Sequence, residues 1–205
     1  MLFRSSVAES DAEKLHTYAS MLSAAVDMGD WKAAEAARRA GATLSSAGVP
    51  EEPVRMRALH SSALCARGQF RAAHRESHRV NVNALSPFSR PELLASRATI
   101  AYSLAEYEEA IGQAAAALKA ARQVGHDVLV GYARDTLGFA QVLFHGTDAG
   151  LHELTRAREE LTSFGDLVAA AWPTMHIGTY ERRHGCFDAA VSAYRDAVQI
   201  GRAHV

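Results

Sequence analysis

The chain has 205 residues, 22 Lys+Arg against 23 Asp+Glu, and 48% hydrophobic residues, which suits one globular domain or one repeat array with an ample apolar core. A net charge of -1 without any dense basic run argues against a nucleic-acid clamp, whose phosphate contacts need a local excess of Lys and Arg. Alanine dominates with 41 residues, and 19 Arg far outnumber 3 Lys. This bias is typical of GC-rich bacterial genes, and structurally it favours closely approaching helices over strands.

In chain order, the periodicity and turn signals predict ten helices, over 10–28, 31–47, 51–67, 70–84, 91–104, 107–124, 127–145, 149–164, 166–184 and 187–199. Ser10 with Glu13 forms a capping box for the first. A turn signature then recurs, in which a small residue precedes an aromatic by two positions and Ala follows the aromatic by three. It reads Gly29-Asp30-Trp31-Lys32-Ala33-Ala34, Gly68-Gln69-Phe70-Arg71-Ala72-Ala73, Ala105-Glu106-Tyr107-Glu108-Glu109-Ala110 and Gly185-Cys186-Phe187-Asp188-Ala189-Ala190. A degenerate copy without the aromatic lies at Gly146-Thr147-Asp148-Ala149, and Leu137-Gly138 repeats as Ile177-Gly178 forty residues on. Five helical hairpins are expected, with Gly29, Gly68 and Gly185 ending one helix just before the next and with Phe70, Tyr107 and Phe187 wedged between helices. Breakers at Gly48-Val49-Pro50, Ser86-Pro87, Gly125-His126-Asp127 and Gly165-Asp166 separate the hairpins.

Leu2-Phe3-Arg4-Ser5 and Ile200-Gly201-Arg202-Ala203-His204-Val205 resemble translated sequencing-library adapters. Residues 1–5 and 200–205 are therefore set aside, and 6–199 is read as a helical repeat array that is an internal piece of a longer protein. No signal-peptide pattern opens the chain, and the uncharged stretch Leu167 to Tyr180 is too short to cross a bilayer. Cys65 and Cys186 are far apart, fit no metal or redox spacing and are read as free thiols in a reducing cytoplasm.

Leu-Gly or Ile-Gly followed by Gly-x-aromatic-x-x-Ala resembles the tetratricopeptide repeat family over nearly all of 10–199, best in the last hairpin at Ile177, Gly178, Gly185, Phe187, Ala190, Tyr194 and Ala197. The aromatic spacings of 39, 37 and 80 exceed the tetratricopeptide unit of about 34 residues and bring longer HEAT-like units into view. Elongated repeats of this kind look like those of MalT-like, LuxR-type bacterial transcriptional regulators. The resemblance implies an all-α, right-handed superhelical solenoid of about five antiparallel hairpins, whose parent carries an ATPase module before the repeats and often a helix-turn-helix domain after them.

In that family the first helix of each hairpin lines a concave groove. Carried over by position, the resemblance implies groove residues Arg55 and Ser62, then Glu92, Thr99 and Tyr102, then Tyr132, Asp135 and Phe139, and finally Trp172, Met175, Thr179 and Arg182. Aromatic anchors with a polar rim suit a protein, peptide or small-molecule effector, with Arg182 available to a ligand carboxylate. The alternative is that these aromatics only pack neighbouring hairpins.

No phosphate loop and no Gly-x-Ser-x-Gly elbow occurs, so neither a catalytic residue nor a cofactor is expected. His74 and His78 share one helix face, yet no third ligand can be assigned and no metal is expected. Arg67, Arg71, Arg75 and Arg79 form a stripe that Glu76 interrupts, read as a solvated face rather than a nucleic-acid surface. His126 and His145 are placed at helix ends. The reading is a binding and sensing module, with self-association possible through open repeat ends. A free-standing tetratricopeptide scaffold is the runner-up, and a helical enzyme comes third.

Overall fold

A computed structural model describes residues 11–44 and 51–202. The capping-box residue Ser10, residues 1–5 and residues 203–205 lie outside the described residues. The elements are α1 (Asp11–Asp27), α2 (Trp31–Ala42), α3 (Glu51–Ala66), α4 (Phe70–His78), a 3-10 turn (Val82–Ala84), α5 (Ser89–Ser103), α6 (Tyr107–Val124), α7 (Asp127–His145), α8 (Asp148–Ser163), α9 (Leu167–Arg183) and α10 (Phe187–Arg202). No strand occurs among the described residues. Among the described residues ten helices pack as neighbouring pairs, and the chain forms two compact units divided between Ser86 and Pro87.

The turns follow from local chemistry. Gly29, Gly68 and Gly185 each sit between two helices with φ of +68°, +71° and +79°, a region that a Cβ penalises and glycine tolerates. Asp30 then caps α2 by accepting from the Ala33 amide at 3.0 Å, and Asp166 caps α9 from Ala169 at the same distance. His126 does the same for α7, its Nδ1 accepting from the Leu129 amide at 3.3 Å. In the third hairpin Ala105 takes the glycine's place at φ +62°, a strained conformation for a residue with a side chain.

Helix α4 ends at His78, six residues short of the predicted limit. The run Val80-Asn81-Val82-Asn83 has poor helix propensity, and the Asn81 side chain accepts from the Asn83 amide at 3.0 Å, offering the backbone a competing turn. Helix α2 likewise stops at Ala42. Helix α9 runs through Pro173, which is buried within it.

In the first unit, α1 and α2 enclose Ala19, Leu22, Ala25, Ala34 and Ala37, closed by Met56 from α3. On α4, Arg67, Arg71, Arg75 and Arg79 lie in or beside a solvent-exposed face, with Arg79 paired to Glu76 at 2.5 Å.

In the second unit, α7 packs against α5, α6, α8 and α9. Small residues set how closely these helices approach. A Cβ built on Gly131 would fall 2.7 Å from Leu161 of α8, and one on Gly178 would fall 2.9 Å from the Tyr194 ring of α10. The expected burial of the turn aromatics needs one correction. Phe70 and Tyr107 are half-buried, but Phe187 is 66% exposed. Tyr107 lies against Phe144 of the following α7, ring centroids 5.8 Å apart, whereas no described helix follows α10 to cover Phe187.

Candidate functional site

The first helices of the second unit, α5, α7 and α9, lie side by side with α7 in the middle. They carry a continuous run of rings. Tyr102 on α5 meets Phe139 on α7 edge-on, with centroids 5.2 Å apart and planes at 87°. Phe139 stacks face to face on His176 of α9 at 3.7 Å and 11°. One helical turn before His176, Trp172 lies 6.4 Å from the imidazole at 41°. Edge-to-face and offset stacked rings at these separations attract one another beyond their area burial.

A polar pair is set into this aromatic layer. The Nδ1 of His176 lies 2.8 Å from Oδ1 of Asp135 on α7. An ionised carboxylate only accepts, so Nδ1 carries the proton and donates it. Both side chains are at least nine-tenths buried, at 7% and 9% exposure. Burying a carboxylate is costly unless it is well partnered, yet this one has a single hydrogen bond among the described residues. Beneath the layer, Val142, Leu154, Ile177 and Tyr180 form a compact cluster against which Phe139 rests.

Tyr180 itself donates to Asp148 Oδ1 at 2.5 Å, and this hydrogen bond to a carboxylate pushes the phenol up to about 12. A second buried charge anchors α8. Arg134, 3% exposed at its side chain, donates from Nη1 to Glu153 at 2.6 Å and from Nε to Glu160 at 3.0 Å. Burial pulls the guanidinium down, but its hydrogen bonds to Glu153 and Glu160 and the attraction of their charges together outweigh that and hold it above its ordinary range.

The structure thus brings together four of the twelve groove candidates, Tyr102, Asp135, Phe139 and Trp172. Tyr132, 38% exposed, stands one turn before Asp135 on α7, and the 40-residue repeat gives it the register position of Trp172 on α9. Met175 is half-buried beside His176 on α9, and Arg182 is exposed near the end of that helix. No ion pair or ring contact joins Arg182 to the aromatic run among the described residues. Arg55 is half-buried on α3, in the first unit. Of the neighbouring positions, Thr179 is tied to the Tyr194 hydroxyl at 3.2 Å and so faces α10.

His176 is the residue that the groove positions missed. Its signal was present, because Trp172 and His176 are four apart and share one face of α9. Arg134 was signalled too, as an arginine within an otherwise largely apolar helix. An open cleft of 440 Å³ between α6 and α7, lined by Leu118, Lys119, Arg122 and Leu137 among others, contains none of the groove positions. On α4 the His74 and His78 rings stack at 4.1 Å. No described helix is long and apolar enough to cross a membrane.

No protein-family model matches this chain, and no curated protein matches it either.

Proposed function

We propose that this chain is a tetratricopeptide-like binding and sensing module rather than an enzyme, a right-handed array whose first-helix face takes a protein, peptide or small-molecule effector. Its parent is a bacterial transcriptional regulator of the MalT-like, LuxR type, working in the cytoplasm, and this segment itself contacts neither nucleic acid nor membrane. The observation that carries the reading is Trp172, 54% exposed beside the buried Asp135–His176 pair. Apolar side chains would close the α7–α9 seam at lower desolvation cost than a carboxylate and an imidazole. Few polar groups set among aromatic walls are the usual lining of a binding site.

Self-association is the accompanying proposal. Phe187, Val191 and Val198 on α10 are 66%, 44% and 52% exposed, and their spacing of four and seven places them on one face, which suits helix-to-helix contact.

Selection from a peptide library with free C-termini, followed by calorimetry on the peptides selected, tests the binding reading. The expected result is a saturable site weakened by about 2 kcal/mol or more in Trp172→Ala and Arg182→Ala. A binder indifferent to both changes, or no binder, overturns it. The parent is tested by the coding DNA on either side. A phosphate loop upstream or a helix-turn-helix downstream supports the regulator, while stop codons close by favour a free-standing scaffold.

A further inference from the structure

We infer that the α7–α9 site recognises a positively charged hydrogen-bond donor, an ammonium or guanidinium group, held between Asp135 and the aromatic faces beside it. This rests on the groove reading above and names the ligand chemistry of that same site.

The inference follows from what the site has already committed. Asp135 Oδ1 accepts from His176 Nδ1 at 2.8 Å, which leaves Oδ2 of the carboxylate and Nε2 of the imidazole. Neither atom has a hydrogen-bond partner among the described residues, and both belong to side chains at least nine-tenths buried. A carboxylate oxygen accepts, so the ligand group complementary to Oδ2 is a donor.

Charge points the same way. The Asp135 carboxylate has one hydrogen bond and a side chain only 9% exposed, a setting in which an approaching cation gains more than it would in water. Among the described residues, no Arg or Lys pairs with Asp135. The buried arginine one residue earlier, Arg134, is spoken for by Glu153 and Glu160. The surrounding rings add to the preference, since the faces of Trp, Tyr and Phe carry the negative part of the ring quadrupole and attract cations. One face of Phe139 is taken by the His176 stack. Trp172 is over half exposed and Tyr132 more than a third, so these two retain area for a ligand.

Three small probes with a common ring and chain length separate charge from hydrophobicity: phenethylamine, 2-phenylethanol and 3-phenylpropionate. The chain has two tryptophans, so a ¹⁵N-labelled sample gives two indole N–H signals, and Trp31→Phe identifies the one from Trp172. The expected result is a saturable shift of the Trp172 signal with the amine. The alcohol binds about tenfold more weakly, and the carboxylate weaker still. Asp135→Asn, nearly the same in shape, brings the amine down to the level of the alcohol.

If the alcohol or the carboxylate moves the Trp172 signal as readily as the amine, the cation inference is overturned while the groove reading stands. If no probe moves it, the cation inference falls as well, and the peptide selection alone decides the groove. Should Asp135→Asn lose its helical circular dichroism, the comparison of the three probes on the unaltered protein decides between charge and hydrophobicity by itself.

Discussion

A Cβ built on Gly138 would lie 2.8 Å from the carbonyl oxygen of Gly150, and one on Gly150 would lie 2.8 Å from the carbonyl oxygen of Gly138. Helices α7 and α8 therefore cross backbone to backbone, and the obstacle on each side is a main chain that cannot rotate aside. Gly138→Ala is expected to destabilise the second unit by about 1–3 kcal/mol through overpacking, although alanine is the better helix former. Urea unfolding of the variant measures this. A stability gain would show that the two helices can separate freely.

Ala105 offers the opposite change. It occupies the left-handed region at φ +62° in the turn between α5 and α6, where the other hairpins of this turn family have glycine. Ala105→Gly relieves a strain of about 1–2 kcal/mol and gives back part of it as unfolded-chain entropy, about 0.4–1 kcal/mol. A net gain of up to about 1.6 kcal/mol is expected in the same unfolding assay, and a clear loss would contradict the strain.

Arg134 ties α7 to two points on α8, and its charge is almost fully buried. Arg134→Ala removes the guanidinium and leaves Glu153 and Glu160 without the partner they share. Breaking a buried pair typically costs about 3–5 kcal/mol, and the partial exposure of both glutamates, 23% and 27%, places the expectation at the lower end. Arg134→Met, which fills the same space, should recover part of the loss only when both glutamates are also made neutral. Thermal melting of Arg134→Met with and without Glu153→Gln and Glu160→Gln checks that dependence.

Two groups make the pH dependence specific. Tyr180 is held up at about 12, first by its hydrogen bond to Asp148 and then by burial. Its folded pKa is above the ordinary value, so its contribution is complete below pH 10 and is lost as the pH climbs through 12. Ultraviolet titration should show one tyrosine ionising late, and Asp148→Asn should bring it forward. Glu35 is pulled down to about 2, chiefly by hydrogen bonds from Arg38 and Arg39. Its contribution is present above the ordinary carboxylate value near 4.5 and disappears as the pH falls toward 2. Its side chain is 37% exposed, so solvent screening keeps the effect below about 1 kcal/mol. Glu35→Gln should flatten the acid limb of the first unit by no more than that.

The helices and turns are legible in the sequence because their signals are local. Gly29, Gly68 and Gly185 mark chain reversals within a few residues, and the periodicity between them needs no knowledge of partners. The exposure of Phe187 is not legible for the opposite reason, since burial there depends on a helix lying over the ring rather than on its place in the repeat. The polar pairs are long-range in the same sense. Asp135 and His176 are 41 residues apart, and Arg134 reaches partners 19 and 26 residues on. Repeat register located Asp135 and Trp172 on the first-helix face, but only the packing of α7 against α9 shows that His176 completes the cluster.

The central claim is that Trp172 belongs to a ligand face and is not merely packing material. Calorimetric affinity for a selected peptide and the melting temperature, both measured on Trp172→Ala, test it most directly. The account predicts an affinity loss of about 2 kcal/mol or more with little change in melting, because the ring is 54% exposed. Unchanged affinity together with a large fall in melting temperature would contradict it, and would return the ring to the role of a spacer between hairpins.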